Sequence, residues 1–206
     1  MITAQELIDF EEDICKSFQN KEIRSPVHLY SNCENQLIDI FKNYITPMDY
    51  VFCTWRSHYQ CLLHGVPKEQ VKQAILDNRS ISLCFPEHKV FSSAIVGGNI
   101  PIALGVALGV KRNGGSEHVF LFIGDMTSQC GIFMEALEYT VNFKLPIMFI
   151  VEDNNKSVCT PTRKTWGTST LLWERLREDP RYRGHLTGYY YESKYPHAGT
   201  GERIQF

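Results

Sequence analysis

The sequence predicts an α/β fold built on a mostly parallel sheet. Two apolar runs, residues 118–123 and 147–151, have the length and composition of strands that are buried on both faces. Between them, residues 129–143 carry apolar side chains at helical spacing. A strand, a helix and a strand of these lengths form a right-handed crossover between parallel neighbours. We therefore expect a three-layer sandwich, with helices on both faces of a mostly parallel central sheet.

The first half of the chain predicts mainly helices. Thr3 and Glu6 have the spacing of a capping box, and the apolar residues that follow recur at helical spacing, which predicts a helix over residues 4–19. The other elements predicted here are helices near 34–45, 58–64 and 68–77, a strand over 50–55, and a loop over 78–96.

The second half adds two further helices and a last strand to the crossover. Gly97, Gly98 and Asn99 open a helix that runs to about Arg112, and its alanines and glycines keep its surface small. Because an interior glycine costs a helix up to about 1 kcal/mol, we expect this helix to approach the sheet closely in return. A helix near residues 169–177 and an aromatic strand over 189–195 complete the prediction, and we expect one domain over residues 1–206.

Composition excludes several classes of function. Hydrophobic residues make up 43% and charged residues 21% of the 206 positions, which is typical of a folded protein. The net charge of -2 favours neither nucleic acid nor an anionic membrane as a partner. The N-terminal segment is acidic and lacks a signal pattern, and the longest apolar runs are only as long as strands. A cytoplasmic location is the resulting expectation.

The seven cysteines do not form a recognisable disulfide framework or zinc site. Their number is odd, their spacing is irregular, and no C-x-x-C pair occurs. Most of them fall within apolar stretches, so we expect reduced cysteines that serve in packing.

Polar residues follow both strands of the crossover. Asp125 comes just after the first strand, and Asn154 comes just after the second. Ligands of open parallel sheets collect beyond the carboxyl ends of the strands, so both side chains are expected at one edge. A carboxylate, an amide oxygen and a backbone carbonyl suit Mg²⁺ better than Zn²⁺. The helix that begins after Ser128 would direct its N-terminus, which favours phosphate, toward the same edge.

The same residues have a purely structural interpretation. Asp125 and Ser128 could cap the following helix, while residues 153–155 form a turn. The spacing alone does not decide between this interpretation and a metal site.

Four ordered blocks of sequence carry a resemblance to a known family. Gly124 and Asp125, followed by a helix, a strand and Asn154, resemble the thiamine-diphosphate motif. The chain as a whole is similar to the alpha subunit of the decarboxylase component of 2-oxo-acid dehydrogenases, in the transketolase-like superfamily. The resemblance covers roughly residues 25–160 and implies a pyrophosphate-type domain of the thiamine-diphosphate-binding fold. Its blocks are HLYSNCEN, DYVFCTWRSH, IVGGNIPIALGVALG and FMEALEYTVNFKLPIMFIVEDN.

The resemblance implies a magnesium ion that links the chain to the cofactor. Asp125 and Asn154 would bind Mg²⁺ through their side chains, and Lys156 would bind it through its backbone carbonyl. These three positions match the ligand positions of the family motif.

The resemblance also implies contacts with the diphosphate. Gly124, Met126 and Thr127 would lie beside the phosphates, with Met126 in place of the family's glycine. Arg56 would contact the diphosphate, and Trp55 replaces the tyrosine that is usual before it.

Further positions match residues near the ring and the substrate. Val96 and Gly97 would line the thiazolium with their backbone. His88 would face the substrate, His58 would lie close to Arg56 and the diphosphate, and both are expected to be catalytic. His197, after the last predicted strand, is a further candidate near the phosphates.

The function implied is that of an alpha-type subunit in a two-chain enzyme that cleaves or forms a C–C bond next to a carbonyl, as in 2-oxo-acid decarboxylation or dehydrogenation. The catalytic glutamate would come from a beta-type subunit with the pyrimidine-binding domain, in an α2β2 assembly. Because the chain ends at Phe206, transfer to a small acceptor, as in transketolase or carboligase chemistry, is an alternative. A non-catalytic scaffold subunit is another. A magnesium-dependent phosphotransfer enzyme would need an Asp-x-Asp pair or a P-loop at a strand end, and neither is present.

Overall fold

The computed structural model describes residues 2–199. Its helices and strands follow one another in the order that an α/β fold requires. In chain order they are α1 (Ala4–Gln19), α2 (Glu34–Tyr44), β1 (Tyr50–Cys53), α3 (His58–Leu63), α4 (Lys68–Leu76), β2 (Cys84–Phe85), β3 (Val90–Ser92), α5 (Asn99–Arg112), β4 (Val119–Gly124), α6 (Gly131–Phe143), β5 (Ile147–Asp153), β6 (Lys156–Ser157), β7 (Thr160–Pro161), α7 (Thr162–Trp166), α8 (Leu172–Leu176) and β8 (Leu186–Tyr190).

The chain divides into two compact units. Of the described residues, unit 1 comprises 2–47, 55–94 and 192–199, and unit 2 comprises 48–54 and 95–191. Unit 1 is therefore assembled from three separate stretches of chain.

Unit 2 contains four parallel strands in the order β1-β4-β5-β8. Strands β4 and β5 pair directly, from Val119 opposite Ile147 to Gly124 opposite Glu152. Helix α6 joins them and packs on the sheet through an edge-to-face contact between the rings of Phe133 and Phe149, whose centroids lie 5.7 Å apart. The predicted crossover and the α/β class with a parallel sheet are confirmed.

The end of unit 2 differs from the prediction. The helix expected near 169–177 is shorter, and the helix α7 before it was not predicted. The last strand lies at Leu186–Tyr190 instead of 189–195, because its pairing places Leu186 opposite Phe149 and Gly188 opposite Val151. The glycine is a poor strand former, so the sequence pattern favoured the aromatic residues after it.

Helix α5 contacts the sheet through its alanines and not through its glycines. Ala103 and Ala107 are fully buried. A Cβ atom added at Gly105 or Gly109 would meet no atom within 4 Å among the described residues. The expectation that these glycines permit a close approach to the sheet is therefore wrong.

Unit 1 contains the helices α1 to α4. The capping box of α1 is confirmed, since the Thr3 hydroxyl accepts from the Glu6 amide at 3.2 Å and the Thr3 amide donates to the Glu6 carboxylate at 2.8 Å. The segment 78–96, predicted as a loop, contains the antiparallel pair β2 and β3. These strands have only two and three residues, too few to produce a periodic pattern.

The seven cysteines are free, as expected. Their role in packing is only partly confirmed, because Cys84 and Cys159 are exposed. Among residues 2–199, no helix has both the length and the apolar character that crossing a membrane requires.

Candidate functional site

The ends of β4 and β5 bring the predicted metal ligands to one edge of the sheet. Asp125 follows the last residue of β4, and Asn154 follows the last residue of β5. The two strands are parallel neighbours, with Gly124 opposite Glu152. The neighbouring strands that the metal site requires are therefore present.

Asp125 is a buried carboxylate with an unused oxygen. The residue is 1% exposed, and its Oδ2 atom has no hydrogen-bond partner among the described residues. Burial raises the pKa of Asp125 to about 7, and the nearby charge of Asp153 acts in the same direction. The Thr162 hydroxyl and the Arg163 charge oppose this increase, although Thr162 Oγ1 does not reach hydrogen-bond geometry with any described group. A buried acceptor of this kind is costly unless a ligand or ion satisfies it.

Asp125 does not cap the following helix. Helix α6 has Cys130 as its N-cap, and no side chain caps it. Between Asp125 and this helix lies the short 3-10 turn Thr127–Gln129. The Ser128 hydroxyl donates to the Asp125 carbonyl at 2.7 Å, so it serves the turn and leaves the carboxylate free. The capping interpretation is wrong for this residue.

The turn interpretation, in contrast, holds for the segment after β5. The amide of Asn155 donates to Asp153 Oδ1 at 2.9 Å, and the amide of Lys156 donates to Asn154 Oδ1 at 3.2 Å. An amide oxygen has two lone pairs, so Asn154 Oδ1 can accept this bond and still bind a cation. A turn and a metal ligand are compatible here.

Lys156 has a backbone carbonyl without a donor from the paired strand. Lys156 lies in β6 opposite Pro161 of β7. The Thr162 amide donates to the Asn155 carbonyl at 3.1 Å, so Lys156 and Pro161 form a non-hydrogen-bonded pair, in which the Lys156 carbonyl is directed away from β7.

The available donors fit magnesium. Among residues 2–199, no group of three or more His, Cys, Asp or Glu side chains could hold a metal ion. Zinc sites are built from such groups, whereas Mg²⁺ is commonly bound by one or two protein oxygens together with water and substrate phosphates. The Asp125 Oδ2 atom, which has no hydrogen-bond partner among the described residues, is available to a cation. The residues present therefore fit the ion that the sequence predicts.

Gly97 has a backbone conformation that requires glycine. Its φ angle is 72°, in the left-handed region, and an added Cβ would lie 3.3 Å from Ile132 Cγ2. Val96, the neighbouring predicted ring contact, is about half exposed at 50%. At Gly97 the turn before α5 therefore has no side chain, so its backbone can contact a ring such as the thiazolium.

The bulky residue at position 126 is accommodated by a partner in the same unit. The Trp166 indole N–H donates to Met126 Sδ at 3.0 Å. The thioether is directed to this exposed indole, and nothing in the sequence spacing links the two residues.

A polar network next to Asp125 was missed by the sequence analysis. Arg163 binds Asp153 through both Nη atoms, at 3.1 Å to Oδ1 and 2.8 Å to Oδ2, and it binds Glu174 at 3.0 Å. Asp153 also accepts from the Trp173 indole at 3.1 Å. Hydrogen bonding to Asp153 raises the pKa of Arg163 above its usual range, which keeps it charged. The partners lie 10 to 20 residues apart in the chain, and no sequence motif connects them.

His58, in unit 1, is part of a fully buried chain of side chains. Its Nδ1 atom lies 3.0 Å from Glu11 Oε2, and its Nε2 atom lies 2.9 Å from Ser80 Oγ. All three residues are 1% exposed or less. Both ring nitrogens are engaged, so the contacts favour a role in stabilising unit 1, and a catalytic role for His58 stays a prediction.

Arg56, also in unit 1, is held by backbone and ring contacts. Its Nε donates to the Leu29 carbonyl at 3.2 Å, and its guanidinium carbon lies 5.8 Å from the centre of the Tyr30 ring. The Tyr30 hydroxyl in turn donates to the Arg56 carbonyl at 3.0 Å. The side chain is thus oriented before any anion binds.

Two further predicted residues of unit 1, Trp55 and His197, lie together with His28. The ring centroids of His28 and His197 are 4.4 Å apart, and those of Trp55 and His197 are 5.9 Å apart. The His28 Nδ1 atom contacts the His197 carbonyl. Burial lowers the pKa of His28 to about 3, with the Arg56 charge acting in the same direction, and burial also lowers the pKa of His197.

His88 stands apart from this cluster within unit 1. It ends the short 3-10 turn Pro86–His88 between β2 and β3 and is half-buried. Among the described residues, no hydrogen bond, ion pair or ring contact joins it to His28, Trp55 or His197.

Comparison with known proteins places the chain in a family. The profile of the family described as "Dehydrogenase E1 component" matches residues 3–173. The chain is 27% identical over 171 residues to the alpha subunit of acetoin:2,6-dichlorophenolindophenol oxidoreductase of Cupriavidus necator, covering 78% of this chain and 50% of the relative. It is 29% identical over 165 residues to the alpha subunit of the pyruvate dehydrogenase E1 component of Porphyra purpurea, covering 71% and 48%. The corresponding subunit of Staphylococcus aureus is 29% identical over 132 residues, covering 62% and 35%.

The chain thus matches at most about half the length of these relatives. The family profile nevertheless extends over most of the chain, from α1 into α8. It includes the ends of β4 and β5 and every predicted site residue except His197. The chain belongs to the dehydrogenase E1 component family.

Proposed function

We propose that this chain is the alpha-type subunit of a two-chain thiamine-diphosphate enzyme that cleaves or forms a C–C bond next to a carbonyl group. The observation that carries the proposal is the buried Asp125 Oδ2 atom, which has no partner among the described residues at the end of β4. A divalent cation would satisfy this oxygen and offset the cost of burying its charge. Membership of the family supports thiamine diphosphate as the molecule that shares the cation.

Three groups of unit 2 would hold the Mg²⁺ ion. They are the Asp125 carboxylate, Asn154 Oδ1 and the Lys156 carbonyl, with phosphate oxygens and water completing six ligands. Gly124, Met126 and Thr127 would border the phosphates, and a Cβ added at Gly124 would meet no described atom within 4 Å. The end of β4 therefore leaves space at the position where a phosphate is expected.

The remaining predicted residues keep the roles that the resemblance implies. When bound, thiamine diphosphate supplies the nucleophile that attacks a carbonyl and accepts the electrons of the broken C–C bond. Val96 and Gly97 would support its ring with backbone. Among the other residues, Arg56 would neutralise phosphate charge, and Trp55 and His197 would border the phosphates. His88 and His58 are the proposed catalytic histidines.

A beta-type partner subunit is part of the proposal. Large apolar side chains of unit 2 are exposed along the segment that includes α5 and α6. The rings of Tyr139 and Phe143 contact each other there in a tilted arrangement with centroids 4.2 Å apart, and Ile95 is 74% exposed. Exposed apolar surface of this kind marks interfaces between subunits. The relatives are named as alpha subunits, which supports a beta-type partner. We propose an α2β2 assembly of the two chains. The exposed residues are Ile95, Val96, Ile102, Ile132, Tyr139 and Phe143.

Calorimetric titration with thiamine diphosphate tests the proposal. We expect binding with Mg²⁺ and none in EDTA, with the partner subunit present if the chain alone does not bind. Absence of magnesium-dependent binding under both conditions would refute the proposal.

A turnover assay then separates an enzyme from a scaffold. Pyruvate and acetoin, the substrates indicated by the relatives' names, would be assayed with 2,6-dichlorophenolindophenol as electron acceptor. Turnover that requires both chains supports the enzyme, whereas cofactor binding without any turnover of a 2-oxo acid, ketose or acetoin would leave a scaffold subunit.

A further inference from the structure

Asn155 lies between two of the proposed metal ligands and has an unusual backbone conformation. Its φ angle is 56°, in the left-handed region. Asparagine tolerates this region better than most residues, but it is seldom adopted without support from the surroundings. The conformation of Asn155 sets how Asn154 and Lys156, on either side of it, are presented.

The backbone amide, the backbone carbonyl and the side-chain Oδ1 atom of Asn155 are all engaged. Its amide donates to Asp153 Oδ1 at 2.9 Å, and its carbonyl accepts from the Thr162 amide at 3.1 Å. Its side-chain Oδ1 accepts from the Arg163 amide at 3.1 Å and from Arg163 Nη1 at 3.3 Å. The beginning of α7 therefore holds the turn, and Arg163 contributes two of the bonds.

The Arg163 guanidinium is itself fixed by a full set of acceptors. An arginine side chain has five N–H donors. Nη1 bonds Asp153 and Asn155, Nη2 bonds Asp153 and Glu174, and Nε bonds the Ser169 carbonyl at 3.2 Å. The group also lies over the Tyr190 ring, 5.7 Å from its centre. With one acceptor for each donor, Arg163 has no N–H left for a phosphate.

We propose that Arg163 is the positioning residue of the metal-binding turn, holding Asn155 so that Asn154 and Lys156 are presented to the cation. This inference rests on the proposed function. Arg163 acts through Asp153 and Asn155 and touches neither cation nor phosphate. Supporting partners of this kind typically change metal affinity by about 10- to 100-fold when they are removed.

Manganese, which can be followed by electron paramagnetic resonance, is the probe for this inference. The affinity for Mn²⁺ would be measured with thiamine diphosphate for the wild type and for Arg163→Gln, well below the unfolding temperature of each. We expect the substitution to weaken Mn²⁺ binding at least about tenfold and to change the spectrum of the bound ion. Arg181→Gln is the matched control, because Arg181 belongs to the same unit but pairs with Asp179 at 64% exposure.

Two milder variants distinguish a positioning role of Arg163 from a general effect on the stability of the protein. Arg163→Lys keeps the charge but cannot reproduce the five-donor fork, so we expect it to recover only part of the affinity. Asn155→Gly keeps a residue that tolerates a positive φ angle and removes the acceptor of Arg163, so it should weaken Mn²⁺ binding as well. If Arg163→Gln does not fold, these two variants decide the question.

Failure of this inference differs from failure of the proposed function. If the wild type binds no Mn²⁺ with thiamine diphosphate, either alone or with the partner subunit, the proposed function fails. If the wild type binds and folded Arg163 variants match Arg181→Gln in affinity and spectrum, the positioning role is refuted and the proposed function stands.

Discussion

The indole of Trp173 lies directly against Gly188. A Cβ atom added at Gly188 would be 2.7 Å from Trp173 Cζ3 and 2.8 Å from the Val151 carbonyl, both too close. The same indole donates to Asp153 Oδ2 at 3.1 Å, so its position is fixed from two sides. The packing of α8 on β8 therefore requires glycine in the strand.

Gly188→Ala should accordingly destabilise the protein. Overpacking of this kind typically costs about 1–3 kcal/mol, and the fixed indole favours the upper part of that range. Urea unfolding would measure the loss, with Gly109→Ala in α5 as control, because an added Cβ there meets no described atom within 4 Å. Equal stability of the two variants would contradict the contact.

Gly97→Ala should destabilise the turn before α5. The left-handed φ of 72° costs a residue with a Cβ about 1–2 kcal/mol, and the 3.3 Å approach to Ile132 adds to this cost. Gly105→Ala is the control, since it lies in open space within α5 and should stabilise the helix by up to about 1 kcal/mol. The two variants should therefore shift the urea midpoint in opposite directions, and a shift in the same direction would argue against the strain at Gly97.

Asp125→Asn should abolish cofactor binding without unfolding the protein. The substitution removes the proposed anionic ligand, so the dissociation constant for thiamine diphosphate with Mg²⁺ should rise at least about 100-fold, the loss of roughly 3 kcal/mol. In EDTA at pH 8 the variant should be more stable than the wild type by about 1–3 kcal/mol, because a buried charge without a partner is gone. A folded variant with wild-type affinity would refute the metal assignment, and Asp39→Asn, at an exposed position, is the control.

His28 should make the stability depend on pH in the acid range. Burial lowers the pKa of His28 from 6.5 to about 3, so the folded state disfavours the charged ring. Its stabilising contribution is present above pH 6.5 and is lost as the pH falls toward 3, by a few kcal/mol at about 1.4 kcal/mol per pKa unit. His28→Asn should flatten the plot of unfolding free energy against pH in this window. An unchanged slope between pH 6.5 and 4 would indicate that the ring titrates normally.

The sequence was sufficient for the features that repeat along the chain. The spacing of apolar residues distinguishes strands from helices, so the crossover was predicted with nearly correct limits. The spacing of Thr3 and Glu6 in the same way predicted the capping box of α1. Strand β8 was misplaced because its position depends on pairing with β5 and on the Trp173 contact at Gly188. Local propensity carries no information about such partners.

The residues of the candidate site were likewise predicted only in part. Asp125 and Asn154 could be proposed because each directly follows an apolar strand, and strand ends are visible in the sequence. The role of Arg163 could not, because its partners Asp153 and Glu174 are joined to it only through the fold. The burial of His58 between Glu11 and Ser80 was hidden for the same reason.

The three-part construction of unit 1 has a consequence for synthesis on the ribosome. The Asn32 side chain donates to the Glu192 carbonyl at 2.8 Å, and the Ser31 hydroxyl accepts from the Lys194 amide at 2.8 Å, across sequence separations of 160 and 163 residues. The helices α1 to α4 leave the exit tunnel long before these partners are translated. Unit 1 therefore keeps its last contacts open, exposed to chaperones and proteases, until residues 192–199 emerge.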